Sequence, residues 1–263
     1  MKITMSGSRS ALLLLATVTL LGGCAQDYRL SPAPYGEKVS LTIKLPEDLG
    51  LRSMRVMYRS ALCQRVTYDG DGRPEKIDGH NGFEVPLQKR EGDLYGTELF
   101  VNGGGPCQWR LSNVDFGVKY RMPTPFGENV IPGSGGGVVI VFDHNNPQRR
   151  VSSTINVTGA DLRIVENYYP WVSESFIGGY VQRVRLSGRD GSYLTYNAVQ
   201  ARNIYFEPVL HRSYVVKSIA PKKRIVGEFT KFYYPDGTVE SDWRNKPIFE
   251  KMQRIRLTAG EKR

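Results

Sequence analysis

The residue types that could perform catalysis are few and lie far apart in the sequence. The three histidines, His80, His144 and His211, are widely separated, and none belongs to an HExxH pattern. Ser134 lies in a glycine-rich stretch, but Pro132 occupies the first glycine position of a GxSxG elbow, and the strand-like segment follows this stretch instead of preceding it. We therefore predict that the protein is not an enzyme and needs no cofactor.

A cation site is a second possibility, because Asp69-Gly70-Asp71-Gly72 begins like a calcium loop, in which oxygen atoms surround the ion. Arg73 follows where a third oxygen ligand would fall, and its charge has the wrong sign. Cysteine and histidine are not grouped at zinc-ligand spacings either. We predict a tight turn at residues 69–73 and no metal site.

The first 24 residues carry a different kind of chemistry. Two basic residues and no acidic residue precede the apolar run Ala11 to Leu21. This run is too short to span a bilayer as a helix, which takes about 20 residues, but it has the length of the apolar part of a secretory signal. It ends in Leu21-Gly22-Gly23-Cys24, an aliphatic residue and two small residues directly before a cysteine.

These four residues resemble the lipobox of bacterial lipoproteins. The resemblance implies that residues 1–23 are a signal peptide, and that the thiol of Cys24 receives diacylglycerol and becomes the anchor. In enterobacterial lipoproteins an aspartate after the cysteine is associated with inner-membrane retention, and this chain has Ala25 there. We therefore expect a lipid anchor in the outer membrane, with the folded part facing the periplasm.

The other two cysteines, Cys63 and Cys107, are predicted to form a disulfide, because the periplasm is oxidising. The bond would close a loop of about 45 residues, which corresponds to roughly 4 kcal/mol of loop entropy. Two separate buried thiols are the alternative.

Apolar and polar residues that alternate with a period of two predict most of the secondary structure. Val39 to Leu45 gives the clearest strand, and about six further short strands follow, separated by turns rich in Gly, Pro and Asp. We expect a mostly β protein. Residues 38–145 would form an antiparallel sandwich-like domain with one disulfide, and residues 146–263 a second β-rich, basic region.

Two shorter segments complete this division. Residues 24–37 contain two prolines and a glycine without apolar periodicity, and we expect them to be a tether. Ile248, Met252 and Ile255 have the spacing of a short amphipathic helix, although a last strand over residues 253–257 fits almost as well.

Two groups of residues are candidates for binding a partner. The segment from Arg202 to Arg263 has 14 Lys and Arg against 7 Asp and Glu, and its densest basic run follows Pro221 in a predicted loop. Large aromatic residues beside Pro170 supply the rigid contact area typical of interfaces. A solvated basic face and aromatic core packing are the alternatives. The predicted partner-binding residues are Tyr168, Tyr169, Trp171, Lys222, Lys223 and Arg224.

The plan of the chain is a lipobox, a short tether, one disulfide and a β-rich body without a catalytic signature. This plan resembles that of the immunity lipoproteins that accompany antibacterial phospholipase toxins of type VI secretion. The resemblance implies a non-enzymatic protein that blocks a toxin stoichiometrically at the membrane. The alternative is a structural or assembly lipoprotein that binds peptidoglycan, lipopolysaccharide or an envelope protein, and an envelope hydrolase is a third class. An exported protein is not expected to bind nucleic acid.

The lipobox gives the first prediction. Cys24→Ala should abolish incorporation of a labelled fatty acid into the protein, because no other thiol lies in a lipobox. The double variant Cys63→Ala/Cys107→Ala should keep the label. Labelled Cys24→Ala protein would contradict the assignment of the anchor.

Overall fold

The computed structural model describes residues 27–145 and 154–261. Residues 1–26 lie outside this range, so the signal peptide and Cys24 remain predictions. The described strands and helix are β1 Lys38–Lys44, β2 Leu49–Leu51, β3 Met54–Tyr68, β4 Pro74–Val85, β5 Gln88–Lys89, β6 Leu94–Phe100, β7 Asn102–Gly104, β8 Trp109–Tyr120, β9 Val130–Pro132, β10 Gly136–Val141, β11 Thr154–Asn156, β12 Asp161–Ser175, β13 Val181–Ser187, β14 Tyr193–Asn197, β15 Asn203–Leu210, β16 Val216–Ile219, β17 Lys231–Tyr233, β18 Val239–Ser241 and α1 Phe249–Glu261.

The strands form two sheets, which confirms a mostly β fold. The ten-stranded sheet has the order β18-β17-β16-β12-β15-β1-β6-β5, with β13 attached to β12 and β9 to β13. The eight-stranded sheet has the order β11-β14-β10-β8-β3-β4, with β2 and β7 both attached to β8. The sheets are mixed instead of purely antiparallel, because β15 pairs in parallel with both β1 and β12.

Both halves of the chain contribute strands to both sheets. β1 and β6 lie in the same sheet as β12 and β15, while β11 and β14 extend the sheet that contains β3, β8 and β10. The two sheets share one core, in which Phe116 of β8 and Phe206 of β15 meet edge to face with ring centroids 5.8 Å apart. The expected boundary at residue 145 therefore does not divide the protein into two separate β domains.

The apolar positions of the predicted strands form this core. Val39, Leu41 and Ile43 of β1 are all buried, which confirms the strand with the clearest alternation. The interior also holds the carboxylate of Glu166. Glu166 of β12 accepts a hydrogen bond from the Arg189 guanidinium at 2.7 Å and another from the Tyr196 hydroxyl at 3.2 Å, so its charge is compensated inside the protein.

Helix α1 covers a second, smaller core. Tyr169, Val216, Phe232 and Met252 are buried there, where the helix meets the end of the ten-stranded sheet formed by β12, β16 and β17. The helix prediction is confirmed, and residues 253–257 belong to α1 instead of a strand. No helix among residues 27–145 and 154–261 is long and apolar enough to cross a membrane.

The parallel register defines two ends of the protein. Ser40 of β1 and Asp161 of β12 both pair with Asn203 of β15, so these three strands start at the same end, which we call the near end. β12 continues for 15 residues to Ser175. At about 3.3 Å per residue, its last residue lies up to about 46 Å away along the strand, at what we call the far end.

The chain before β1 is attached to the near end and is not a free tether. The Trp109 indole and the Asn81 amide both donate to the Tyr28 carbonyl, at 3.1 and 3.0 Å. The Ser31 amide donates to the Gly103 carbonyl at 2.8 Å. The expected tether over residues 24–37 therefore requires correction, because the chain is held against the body from residue 28 onward. Two prolines indicate an irregular backbone, but they do not prevent packing.

The disulfide between Cys63 and Cys107 is confirmed, with the two Cα atoms 5.4 Å apart. Arg59 of β3 pairs with Arg110, near the beginning of β8, so residues 61–78 of β3 and β4 extend beyond β8 as a two-stranded projection, which we call the arm. The disulfide holds the base of this arm. Gly79 is required opposite it, because a Cβ atom there would lie 1.8 Å from the Cys63 carbonyl oxygen.

The turn that closes the arm is the predicted tight turn. One carboxylate oxygen of Asp69 accepts hydrogen bonds from the amides of Asp71 and Arg73 at 2.9 and 2.8 Å. Asp side chains that bond to the following backbone in this way stabilise turns.

The disulfide generates a stability prediction. Cys63→Ala/Cys107→Ala should lower the free energy of unfolding by about 2–4 kcal/mol, because the unfolded chain regains the entropy of a 44-residue loop. Chemical denaturation should give the same loss for the wild-type protein under reducing conditions. Equal stability of the reduced and oxidised proteins would contradict this role.

Candidate interaction surface

Tyr168 and Tyr169 lie in strand β12 and are not available to a partner. Their exposed fractions are 2% and 0%, with Tyr168 in the main core and Tyr169 in the core beneath α1. The prediction that these two tyrosines bind a partner is wrong, and the alternative, core packing, is correct for both. Pro170, which lacks an N–H, lies where β12 stops pairing with β15 and begins to pair with β16, so the strand tolerates it there.

Tyr169 holds the C-terminal helix in place. Its hydroxyl donates to the Gln253 side chain and accepts from Nε of Arg256 at 3.0 Å. The ring stacks on His211 with centroids 5.0 Å apart. Burial, together with the charge of Arg256, lowers the pKa of His211 to about 4, so this imidazole is neutral at physiological pH.

Trp171 is half-buried and lies beside two arginines of β13. Its indole N–H donates to the Ser218 hydroxyl at 2.8 Å, and the Arg185 guanidinium lies 4.9 Å from its ring centroid. Burial, and then the neighbouring charge of Arg183, lower the pKa of Arg185. Neither arginine forms an ion pair within the described part of the chain. We call Trp171, Arg183 and Arg185 the arginine shelf.

At the far end, two connections that are distant in sequence lie side by side. The turn from β12 to β13 spans residues 176–180, and the connection from β16 to β17 spans residues 220–230. The Ala220 amide donates to the Glu174 carbonyl at 3.0 Å, and the Lys222 ammonium lies 5.8 Å from the Phe176 ring. We call these two connections together the tip.

The tip presents apolar and basic side chains to solvent. Val226 is fully exposed, and about half of the surface of Ile177, Tyr180 and Ile225 is exposed. Lys222, Lys223 and Arg224 are exposed beside them, and among the described residues none of the three forms an ion pair. Exposed aliphatic and aromatic groups next to free cations suit a partner with an acidic surface and apolar hollows.

Of the predicted partner-binding residues, the structure therefore brings Trp171 and the basic run to the surface and removes the two tyrosines. Sequence reasoning missed Ile225 and Val226, which directly follow Arg224. Two β-branched residues before Gly227 in a predicted loop were the available signal, because a short loop cannot bury them.

The histidines do not form a shared site. His80 lines a groove on the outer side of the eight-stranded sheet, and His144 lines a different cavity. Burial and the charges of Arg65 and Arg59 lower the pKa of His80. Within residues 27–145 and 154–261, no three His, Cys, Asp or Glu side chains are grouped as metal ligands.

Comparison of the chain with protein-family models, with curated proteins and with solved structures gave no match. The lipobox and the immunity-like plan therefore remain predictions from the sequence.

The different positions of Tyr169 and the basic run lead to contrasting stability predictions. Tyr169→Ala should lower the free energy of unfolding by about 3 kcal/mol, because it leaves a cavity beneath α1. Lys223→Glu should change it by less than about 0.5 kcal/mol, because this side chain is exposed. Denaturant titration measures both values, with Tyr169→Phe as the control that keeps the ring. Unchanged stability of Tyr169→Ala would contradict the packing of the helix.

Proposed function

We propose that this protein is a non-enzymatic, lipid-anchored binding module that faces the periplasm and holds an acidic protein partner at its tip. The observation that carries the proposal is the composition of the tip. Lys222, Lys223 and Arg224 have no ion-pair partner among the described residues, and exposed Ile225 and Val226 directly adjoin them.

The position of the tip supports this role. Lipidation at Cys24 would place the anchor three residues before Asp27, and the chain from Tyr28 onward is bonded to the near end. The tip lies at the opposite end of β12, about 46 Å along the strand. A partner on the tip would therefore be reached from the periplasm and not from the membrane that holds the anchor.

The chemistry of the tip and the arginine shelf defines the partner further. Five cations, Lys222, Lys223, Arg224, Arg183 and Arg185, would attract an acidic protein over a distance of about one Debye length, so association should slow as salt rises. Tyr180, Ile225 and Val226 would supply the apolar contacts that slow dissociation.

A toxin is the partner that the plan of the chain favours, through its resemblance to immunity lipoproteins of phospholipase toxins. A phospholipase must reach the bilayer to act. A toxin bound at the tip would be held at the end of the protein that is farthest from the anchor, so binding alone would protect the membrane. One immunity molecule would neutralise one toxin molecule without turnover.

The test uses the full-length protein in cells, with a photo-crosslinking phenylalanine analogue in place of Tyr180. The crosslinked species should be a single acidic protein. The triple variant Lys222→Glu/Lys223→Glu/Arg224→Glu should reduce the crosslink at least tenfold. The matched control Lys89→Glu/Arg90→Glu/Lys119→Glu changes the net charge by the same amount, at exposed cations outside the tip. This control should keep the crosslink.

Three outcomes would contradict the proposal. The first is that the crosslinked species is peptidoglycan or lipopolysaccharide, which would favour the assembly lipoprotein. The second is that both triple variants lose the crosslink equally, which would mean that binding depends only on the net charge of the protein. The toxin prediction fails separately if cells that produce the wild-type protein remain sensitive to a phospholipase toxin encoded beside it.

A further inference from the structure

The arm exposes a row of apolar side chains at the near end. Leu62, Val66 and Tyr68 of β3 are each 60–68% exposed. Val66 and Tyr68 are two positions apart in the regular part of β3, so their side chains lie on one face of the arm. Leu62 is exposed beside them, within the register shift between Ser60 and Arg65. A monomeric soluble protein rarely leaves such a row uncovered.

The start of the described chain lies against the base of this arm. The Arg65 guanidinium stands 5.8 Å from the Tyr28 ring centroid, and the Asn81 amide donates to the Tyr28 carbonyl. Tyr35, which is fully exposed, belongs to the same N-terminal segment that leads into β1. The end of the protein from which residue 27 leads back to Cys24 is therefore the end that carries the arm.

Chain length limits how far the anchor can be from the arm. Three peptide units separate Cys24 from Asp27, and at 3.8 Å per unit they span at most about 11 Å. The arm continues past Arg65 for about five residues to its turn, which is about 16 Å of strand. A bilayer surface within about 11 Å of Asp27 on the side of the near end would therefore lie within reach of the arm.

We propose that the exposed apolar side chains of the arm, Leu62, Val66 and Tyr68, rest in the bilayer interface beside the lipid anchor. This inference depends on the lipidation in the proposed function. Tyrosine suits the boundary between lipid headgroups and acyl chains, where its ring is apolar and its hydroxyl is wet. The contact orients the body so that β12 leads away from the membrane.

The charge of the arm indicates which membranes it accepts. Residues 61–78 contain three basic and four acidic side chains, so anionic lipid supplies no net attraction. The contact should therefore depend on apolar burial and be the same for neutral and anionic bilayers. The basic run Lys222, Lys223 and Arg224 lies at the far end, so it would not compete for the same lipid headgroups.

The test uses the full-length lipidated protein in phosphatidylcholine vesicles, with tryptophan in place of either Tyr68 or Tyr180. Bromine atoms on the acyl chains quench tryptophan only at short range. Relative to vesicles without bromine, the signal added by Tyr68→Trp should fall at least twofold, while that of Tyr180→Trp at the tip should stay unchanged. The wild-type protein supplies the background of the three native tryptophans, and adding phosphatidylglycerol should alter neither result.

A second variant and a control keep the outcome unambiguous. Leu62→Asp/Val66→Asp in the Tyr68→Trp protein should restore its fluorescence while the protein still sediments with the vesicles. If Tyr68→Trp is not quenched although the protein carries its fatty acids and sediments, the arm contact is wrong and the anchor stands. If the protein neither incorporates labelled fatty acid nor sediments with the vesicles, the prediction of the lipid anchor is wrong, and the arm contact is wrong with it. β4 is an edge strand, so a lipid-independent dimer that Val66→Asp dissociates would show that the arm binds a second copy, which would also overturn the proposal.

Discussion

The attachment of residues 28–31 to β4, β7 and the beginning of β8 is the constraint on which the proposed orientation depends. The Tyr28 carbonyl accepts hydrogen bonds from Trp109 and Asn81, and Ser31 bonds to Gly103. A chain that left the body freely would let a lipid-anchored protein tumble above the membrane. A chain held to the body from Tyr28, four residues after Cys24, would leave one end of a lipid-anchored protein to face the bilayer.

The two ends differ in a way that fits this orientation. The near end has an arm with an apolar face and almost no net charge, and the Cys63–Cys107 disulfide holds its base. The far end carries Lys222, Lys223 and Arg224 beside exposed aliphatic residues. In the proposed orientation, separation by the length of β12 would keep the basic tip away from anionic headgroups, so its cations would stay available to an acidic protein. The parallel pairing of β1, β15 and β12 maintains this separation.

Local chemistry explains what the sequence predicts correctly. Neighbouring residues alone predict the strand from Val39 to Ile43 and the turn at Asp69. The disulfide between Cys63 and Cys107 is predicted from the expected oxidising compartment. The parallel partners of β12 come from distant segments, which alternation does not identify. A proline directly after Tyr168 and Tyr169 argues against a central strand, and only the exchange of β15 for β16 along β12 explains how the strand continues through Pro170. The tip could not be predicted either, because two connections become one surface only when β16 pairs beside β12.

Neutron reflectometry of the full-length lipidated protein on a supported bilayer tests the central claim most directly, because it measures where protein density begins and ends. We predict a layer that starts in the headgroups and extends at least about 46 Å into water, the length of β12. A layer of about 20–25 Å, the thickness of two packed sheets lying flat with their side chains, would contradict this orientation. So would a hydrated gap between the headgroups and the protein.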